Sequence, residues 1–221
     1  SVGVMQATLG FKRKPDGVGG AAADAKAPRV APLMWSIVGK FLLVRGGGKG
    51  AVEPSKKIAG FDLDGTLVNT KSGNTFATSG SDWKLFNEHV VSKVRAYHEK
   101  GYKIVIFSNQ AGIQSAVEGK RATQTRERID QVCKELGVPV QAFCATQKIP
   151  ERDPHNLRKP QRGMWDWMVE KHNGDVVDMD LDLSFYVGDA AGRPGDHSEV
   201  DKGFAKSVKI PFWTPEEFFV E

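Results

Sequence analysis

From Lys56 onward, short apolar runs alternate with stretches of helical spacing, and no other feature constrains the fold as much. Ile58 to Leu63 is an apolar run that ends in acid. Trp83 to Lys100 places Leu85, Phe86, Val90, Val94 and Tyr97 at helical spacing, and Gly101 ends it. Tyr102 to Phe107 reads as a second strand, and Arg121 to Leu136, stopped by Gly137, as a second helix. Val138 to Ala145 is a third strand, Gly163 to Lys171 a third helix, and Leu183 to Val187 a fourth strand. Phe204 to Val208, followed by Pro211 and Phe212, closes the series. Near-continuous apolar strands alternating with helices predict an α/β fold: a Rossmann-like three-layer sandwich around a mostly parallel central sheet. In such sheets the ligand site lies at the carboxyl ends of the strands.

The residues that follow each strand carry the chemistry. After the first come Asp62, Leu63, Asp64, Gly65 and Thr66; after the second, Ser108, Asn109 and Gln110. Further beyond the third come Arg158, Lys159 and Pro160, and after the fourth Gly188, Asp189, Ala190, Ala191, Gly192 and Arg193. All four groups converge on one edge of a parallel sheet. Asp62 and Asp64, two residues apart, point to the same side of an extended strand. Two carboxylates held close repel each other, and a divalent cation relieves the repulsion. With Asp189 they make an all-oxygen set, which suits Mg2+. Phosphoryl transfer needs a nucleophile, positive charge on the equatorial oxygens and a proton for the leaving group. Asp62 can be the nucleophile, Asp64 the acid and base, Ser108 a hydroxyl on the phosphoryl group, and Lys159 its positive charge. A lone DxD would be a strand end followed by a turn; its company at successive strand ends favours the site.

The N-terminal quarter differs. Residues 1–57 hold ten Lys/Arg against three Asp/Glu, whereas 58–221 hold 21 against 24. A basic tail favours polyanions, although a solvated arm carries the same charge. Residues 1–32, with Lys-Arg-Lys at 12–14, a Gly/Ala-rich stretch and three prolines, predict a disordered basic tail. Within it, residues 6–11 (QATLGF) resemble faintly a sliding-clamp-binding peptide that lacks its second aromatic, so contact with a clamp or another repair protein stays open. Residues 33–55 read as a strand over Lys40 to Arg45 and a Gly-rich linker, and 56–221 as the domain that carries the chemistry. The Gly/Lys run at 46–50 lacks the GxxxxGK[ST] spacing of a nucleotide loop. No run approaches the ~18 apolar residues of a membrane span. The first residue is Ser1, so a targeting segment ahead of it is an open matter. Cys133 and Cys144 belong to no CxxC pair and read as buried reduced thiols.

In order and type, these motifs resemble the haloacid-dehalogenase phosphatase superfamily, and within it the 3′-phosphatase domain of polynucleotide kinase 3′-phosphatases. The resemblance is carried by FDLDGTLVNTKSG (61–73), SDW (81–83), GYKIVIFSNQAGI (101–113), LGVPVQAFCAT (136–146), RKPQRGMWDW (158–167), FYVGDAAGRP (185–194) and PFWTPEEFF (211–219). It covers residues 56–221. It implies a Mg2+-dependent enzyme of DNA repair that turns the 3′-phosphate of a DNA end into a 3′-hydroxyl through an aspartyl phosphate, in the nucleus or another DNA-bearing compartment such as the mitochondrion. Asp62 falls on the nucleophile, Asp64 on the acid/base, Ser108 and Lys159 on the phosphate-binding groups, and Asp62, Asp64 and Asp189 on the metal site. Thr66, Asn109, Arg158 and Arg193 are expected to contact substrate. Asp196 and Asp201 match a downstream acidic pattern, and one of them is expected to orient Lys159. The stretch Gln114-Ser115-Ala116 departs from the family, which has a basic residue there.

Residues 65–107 are used up by a polar loop and one helix, and the stretch from Lys159 to Asp189 by one helix and a short loop. Neither has room for a large cap domain, so the site is expected to be open to a bulky end; nothing in the sequence demands more than a monomer. Lys71, Lys120, Arg121, Arg152, Arg158 and Arg162 lie in or near the loops at that edge and could track a phosphate backbone. Trp83 and Trp165 are either core or rim aromatics or base-stacking platforms. Two rival readings remain. An uncapped sugar or histidinol phosphatase would carry clustered Cys and His before the lysine, where this chain offers only Cys144 and His155. A non-catalytic scaffold for DNA ends would have no need of the full set of acids and Lys159.

Overall fold

The computed structural model describes residues 33–46, 52–113, 117–146 and 155–221. The tail at 1–32, the clamp-like peptide, Gln114 to Ala116 and Arg152 lie outside the described residues.

The parallel strands are β3 (Ile58–Phe61), β6 (Lys103–Asn109), β7 (Val140–Ala145), β8 (Phe185–Val187) and β9 (Phe212–Trp213). The hairpin β1 (Trp35–Val38) and β2 (Leu42–Arg45) adds two strands, β2 running antiparallel to β7. The spatial order is β1-β2-β7-β6-β3-β8-β9. From β3 the chain winds one way through β6 to β7, then returns to the other side of β3 through β8 to β9. This reversal beside β3 opens a crevice at the carboxyl ends of β3, β6 and β8.

Helices cover both faces. Residues of β6 alternate: Ile104 and Ile106 join one core, Val105 and Phe107 the other. The first core packs beneath α1 (His89–Glu99), α2 (Lys120–Leu136) and α5 (Pro215–Phe218), the second beneath α3 (Gly163–His172) and α4 (Val200–Val208). This is the expected three-layer α/β sandwich. Cys133 and Cys144 are buried free thiols, and burial pushes Cys133 up to about 12. Trp165 is buried in the second core. Trp83 packs against the first, and its Nε1 donates to Gln131 Oε1 at 3.0 Å.

Two expectations are corrected. The strand over 40–45 is half of a hairpin, because Gly39 at φ +56° turns the chain and lets Trp35–Val38 pair with Leu42–Arg45. Trp35 Nε1 and Arg45 Nε both donate to the carboxylate of Asp130 on α2, at 3.0 and 2.6 Å, and tie the hairpin down. The helix over 83–100 is shorter. Lys84–Leu85 instead forms β5, paired with β4 (Val68–Asn69), and Asn87 Oδ1 accepts the His89 N–H at the start of α1. Leu85 and Phe86 do face the core, but an apolar spacing shared by a bend and a helix cannot tell them apart.

Candidate active site

Asp62 leaves β3 with its N–H on Val187 O at 2.9 Å, which seats it between β3 and β8. Gly65 then turns the chain at φ +80°, and its N–H donates to Val68 O at 2.8 Å. No side chain fits there: a Cβ at Gly65 would stand 2.5 Å from Asp189 Oδ2. Gly65→Ala is therefore expected to cost about 1–3 kcal/mol in folding stability and to displace the Asp189 carboxylate. Urea unfolding and the metal concentration needed for half-maximal phosphatase rate are the measurements; an unchanged value of both would contradict this placement.

Lys159 is the hub. Asn109, ending β6, grips its main chain twice: Nδ2 donates to Lys159 O and Oδ1 accepts from Lys159 N, both at 3.0 Å. Its side chain is buried, and Nζ donates to Asp62 Oδ1 at 2.6 Å, Asp201 Oδ1 at 2.7 Å and the Tyr186 hydroxyl at 2.8 Å. All three ammonium protons are thereby used. Tyr186 in turn donates to Phe107 O at 2.9 Å, and Asp201 Oδ2 accepts the Ala190 N–H at 3.0 Å. Of the two acids left open by the sequence, Asp201 is the one on Lys159. Asp196 instead holds Arg193 and the Ala191 N–H. Burial drives the Asp62 carboxyl well above its ordinary range; Lys159 opposes this, and Asp201, Asp189 and Asp64 add to it. Burial, then Asp201, raises Asp189 to about 6.

Among the described residues, Asp62, Asp189 and Asp201 can each bring an oxygen within 4.8 Å of the others. Asp64 is not a member of this group. Both of its oxygens are taken, Oδ1 by Arg128 Nη1 at 2.7 Å and Oδ2 by Arg128 Nη2 at 3.1 Å and Gln110 Nε2 at 2.9 Å. The Asp64 carboxylate is thus held by Arg128 and Gln110, outside the group of Asp62, Asp189 and Asp201. The turn that starts at Leu63 interrupts the extended backbone on which a two-residue alternation depends. Asp201 has both oxygens committed to Lys159 and Ala190, which leaves Oδ2 of Asp62 and the Asp189 carboxylate to face a ligand. The donor set is all oxygen, partly buried and short of positive charge, which fits a hard divalent cation.

Ser108 is buried at the end of β6, and its Oγ accepts from Gln110 Nε2 at 2.9 Å. Thr66 Oγ1 and Arg158 Nη1 are buried with no hydrogen-bond partner. Arg193 points along the protein surface, paired with Asp196 and Glu216 and donating to Asp189 O at 3.1 Å. It braces the loop that carries Asp189. Sequence reasoning missed Arg128, Tyr186 and the bridging role of Gln110. Arg128 had a signal: it interrupts the apolar face of α2, among buried Ala122, Thr125, Ile129 and Val132. Tyr186 had none, as an aromatic in a buried strand is ordinary.

This fold is shared with a HAD-like phosphatase of Mesorhizobium loti, with a TM-score of 0.57 at 21% identity, over 80% of this chain and 81% of that one. The chain belongs to the polynucleotide kinase 3 phosphatase family, whose sequence profile matches residues 57–219. It is 38% identical over 190 residues to the bifunctional polynucleotide phosphatase/kinase of Schizosaccharomyces pombe, and 38% identical over 178 residues to the polynucleotide 3′-phosphatase ZDP of Arabidopsis thaliana. Those alignments take in 85% and 75% of this chain, and 43% and 24% of the two relatives. The chain thus spans less than half the length of either. The polynucleotide 3′-phosphatase of Saccharomyces cerevisiae is 26% identical over 211 residues, with 76% of this chain and 89% of that protein covered.

Proposed function

We propose that this chain removes the 3′-phosphate from DNA ends to leave a 3′-hydroxyl, through an aspartyl phosphate on Asp62, and that it serves DNA repair in the nucleus. The observation that carries the reading is the buried contact of Lys159 Nζ with Asp62 Oδ1 at 2.6 Å, beside Asp189 at an uncapped sheet edge in a member of this family.

The side chains divide the work. Asp62 attacks phosphorus as the bond to the 3′ oxygen breaks, and Asp64 gives that oxygen a proton. Water then attacks the phosphorus, Asp64 takes its proton, and Asp62 is released as carboxylate. Lys159 has no spare proton in this structure. The N–H that Nζ donates to Asp62 turns to a phosphoryl oxygen as Asp62 becomes phosphorylated, and Lys159 keeps its proton, so its positive charge stays on the group being transferred. To Ser108, and to Thr66 Oγ1 and Arg158 Nη1, which are buried without a partner among the described residues, we assign further hydrogen bonds to the substrate. Asn109 keeps Lys159 in place. Asp62 and Asp189 would hold Mg2+, which supplies charge that offsets these carboxylates and the phosphoryl oxygens.

Among the described residues the intervals 65–107 and 160–188 hold β4, β5, α1, the start of β6, α3 and β8 and no further domain, which supports a site open to a macromolecular end. Lys71 lies over the Trp83 ring, Arg121 Nη1 donates to Ala77 O, and Arg162 is paired with Asp166. Among the described residues no helix is long and apolar enough to cross a membrane. The test is phosphate release from a duplex with a 3′-phosphate at a nick, against a sugar phosphate at equal concentration, with Mg2+ and with a chelator. Expected is Mg2+-dependent release, with kcat/KM on DNA at least about tenfold above that on the sugar because remote binding energy is used. Equal or better turnover of the sugar would overturn the substrate assignment.

A further inference from the structure

The reaction above requires Asp64 to lose a proton and then regain one, yet here both of its oxygens are occupied. The occupant is unusual. Arg128 sits on the core face of α2, only 5% exposed, between Thr125 and Ile129 on that face and one turn from Val132. A guanidinium in that position is costly unless it is paired, because it has left water for an apolar layer. Its charge partner is Asp64, 64 residues away, gripped through Nη1 at 2.7 Å and Nη2 at 3.1 Å. Gln110 Nε2 adds a third bond to Asp64 and reaches Ser108 Oγ, both at 2.9 Å, so the clamp is continuous with the phosphate-facing hydroxyl.

We propose that Arg128 is the positioning residue for Asp64, gripping it at two points between its proton transfers and yielding one oxygen to the leaving group during them. The inference rests on the functional reading given above. Three donors aimed at two oxygens match a carboxylate, which has acceptors only. When Asp64 donates its proton to the 3′ oxygen, the P–O bond to that oxygen breaks, and the carboxylate that results regains its second Arg128 bond. When water attacks the aspartyl phosphate, its proton passes to Asp64, the bond from Asp62 to phosphorus breaks, and the protonated oxygen turns from one N–H. Arg128 stays charged throughout and acts only through Asp64. A charged fork fixes the carboxylate's plane as well as its position, which a lysine's point charge does not.

The test compares Arg128→Gln and Arg128→Lys with the wild type on a 3′-phosphorylated DNA end and on an aryl phosphate, whose leaving group needs no proton. The readout is kcat/KM, which reports the first chemical step. Arg128→Gln is expected to lose about 10²-fold on DNA and less than about threefold on the aryl phosphate, the size expected of general acid catalysis. Arg128→Lys falls between, and stands in if the glutamine variant does not fold. In an Asp64→Asn background, Arg128→Gln is expected to add no further loss on DNA. Equal losses on the two substrates, or a full further loss in that background, would overturn the proposal and leave Arg128 a core residue only. A wild type that leaves DNA 3′-phosphate in place would instead sink the functional reading. A small alkyl phosphate then replaces DNA in the same comparison, and the same two outcomes decide the role of Arg128.

Discussion

Asp62→Asn is expected to take phosphate release below detection, a loss of about 10⁴-fold or more, while the protein remains folded. The substitution is nearly isosteric and keeps an oxygen that can accept from Lys159 Nζ, so the 2.6 Å contact has a replacement. What disappears is the anionic nucleophile, and no other free carboxylate can take its place: Asp201 is bound to Lys159 and Ala190, and Asp64 to Arg128 and Gln110. Asp189, at the end of β8, is the other acid that would hold Mg2+. The measurements are phosphate release from the nicked duplex, circular dichroism for the fold and gel shift for end binding. Retained binding with no turnover is the expected pattern. Turnover within tenfold of the wild type would mean that Asp62 is not the nucleophile, and with it the aspartyl-phosphate route would be lost.

Lys159→Met is expected to damage stability and turnover together, which Asp62→Asn is not. Removing the ammonium leaves Asp201, with a side chain 2% exposed, and Asp62, at 10%, without their shared cation. Stripping one partner from a buried ion cluster costs about 3–5 kcal/mol, because the remaining charges have no water to fall back on. The same change removes the only cation in direct contact with Asp62 among the described residues, and a loss of about 10²–10³ in kcat follows from losing one charge on the transferring group. Tyr186→Phe makes a graded control. It removes one hydrogen bond from Lys159 and one to Phe107 O, costs about 1–2 kcal/mol, and leaves the ion cluster in place. Urea unfolding beside steady-state kinetics separates the two. If Lys159→Met unfolds at the wild-type urea concentration, the cluster does not carry the energetic weight assigned to it.

Both substitutions fall on residues that the sequence alone singles out. The motif around Asp62 and Asp64, the Ser108-Asn109-Gln110 cluster, Lys159 and Asp189 each follow an apolar run, and a parallel sheet sends the ends of such runs to one edge whatever the details of packing. The gaps between them are too short for a cap, and that too is counted along the chain. The sequence by itself therefore determined the layer order of the fold, the edge on which the site lies and most of its members. It could not determine which side chains meet. Asp64 lies two residues from Asp62, yet its carboxylate goes to Arg128 on α2, while the cluster draws in Asp201 from α4. Arg193 folds back onto Asp196 and Glu216, and the hairpin of β1 and β2 closes on Asp130. Each of these outcomes depends on a turn that ends the strand alternation, or on a charge finding a partner from another part of the chain. Burial forces such pairing, because an unpaired charge cannot remain in the core, but only the packed helices decide which partner is within reach.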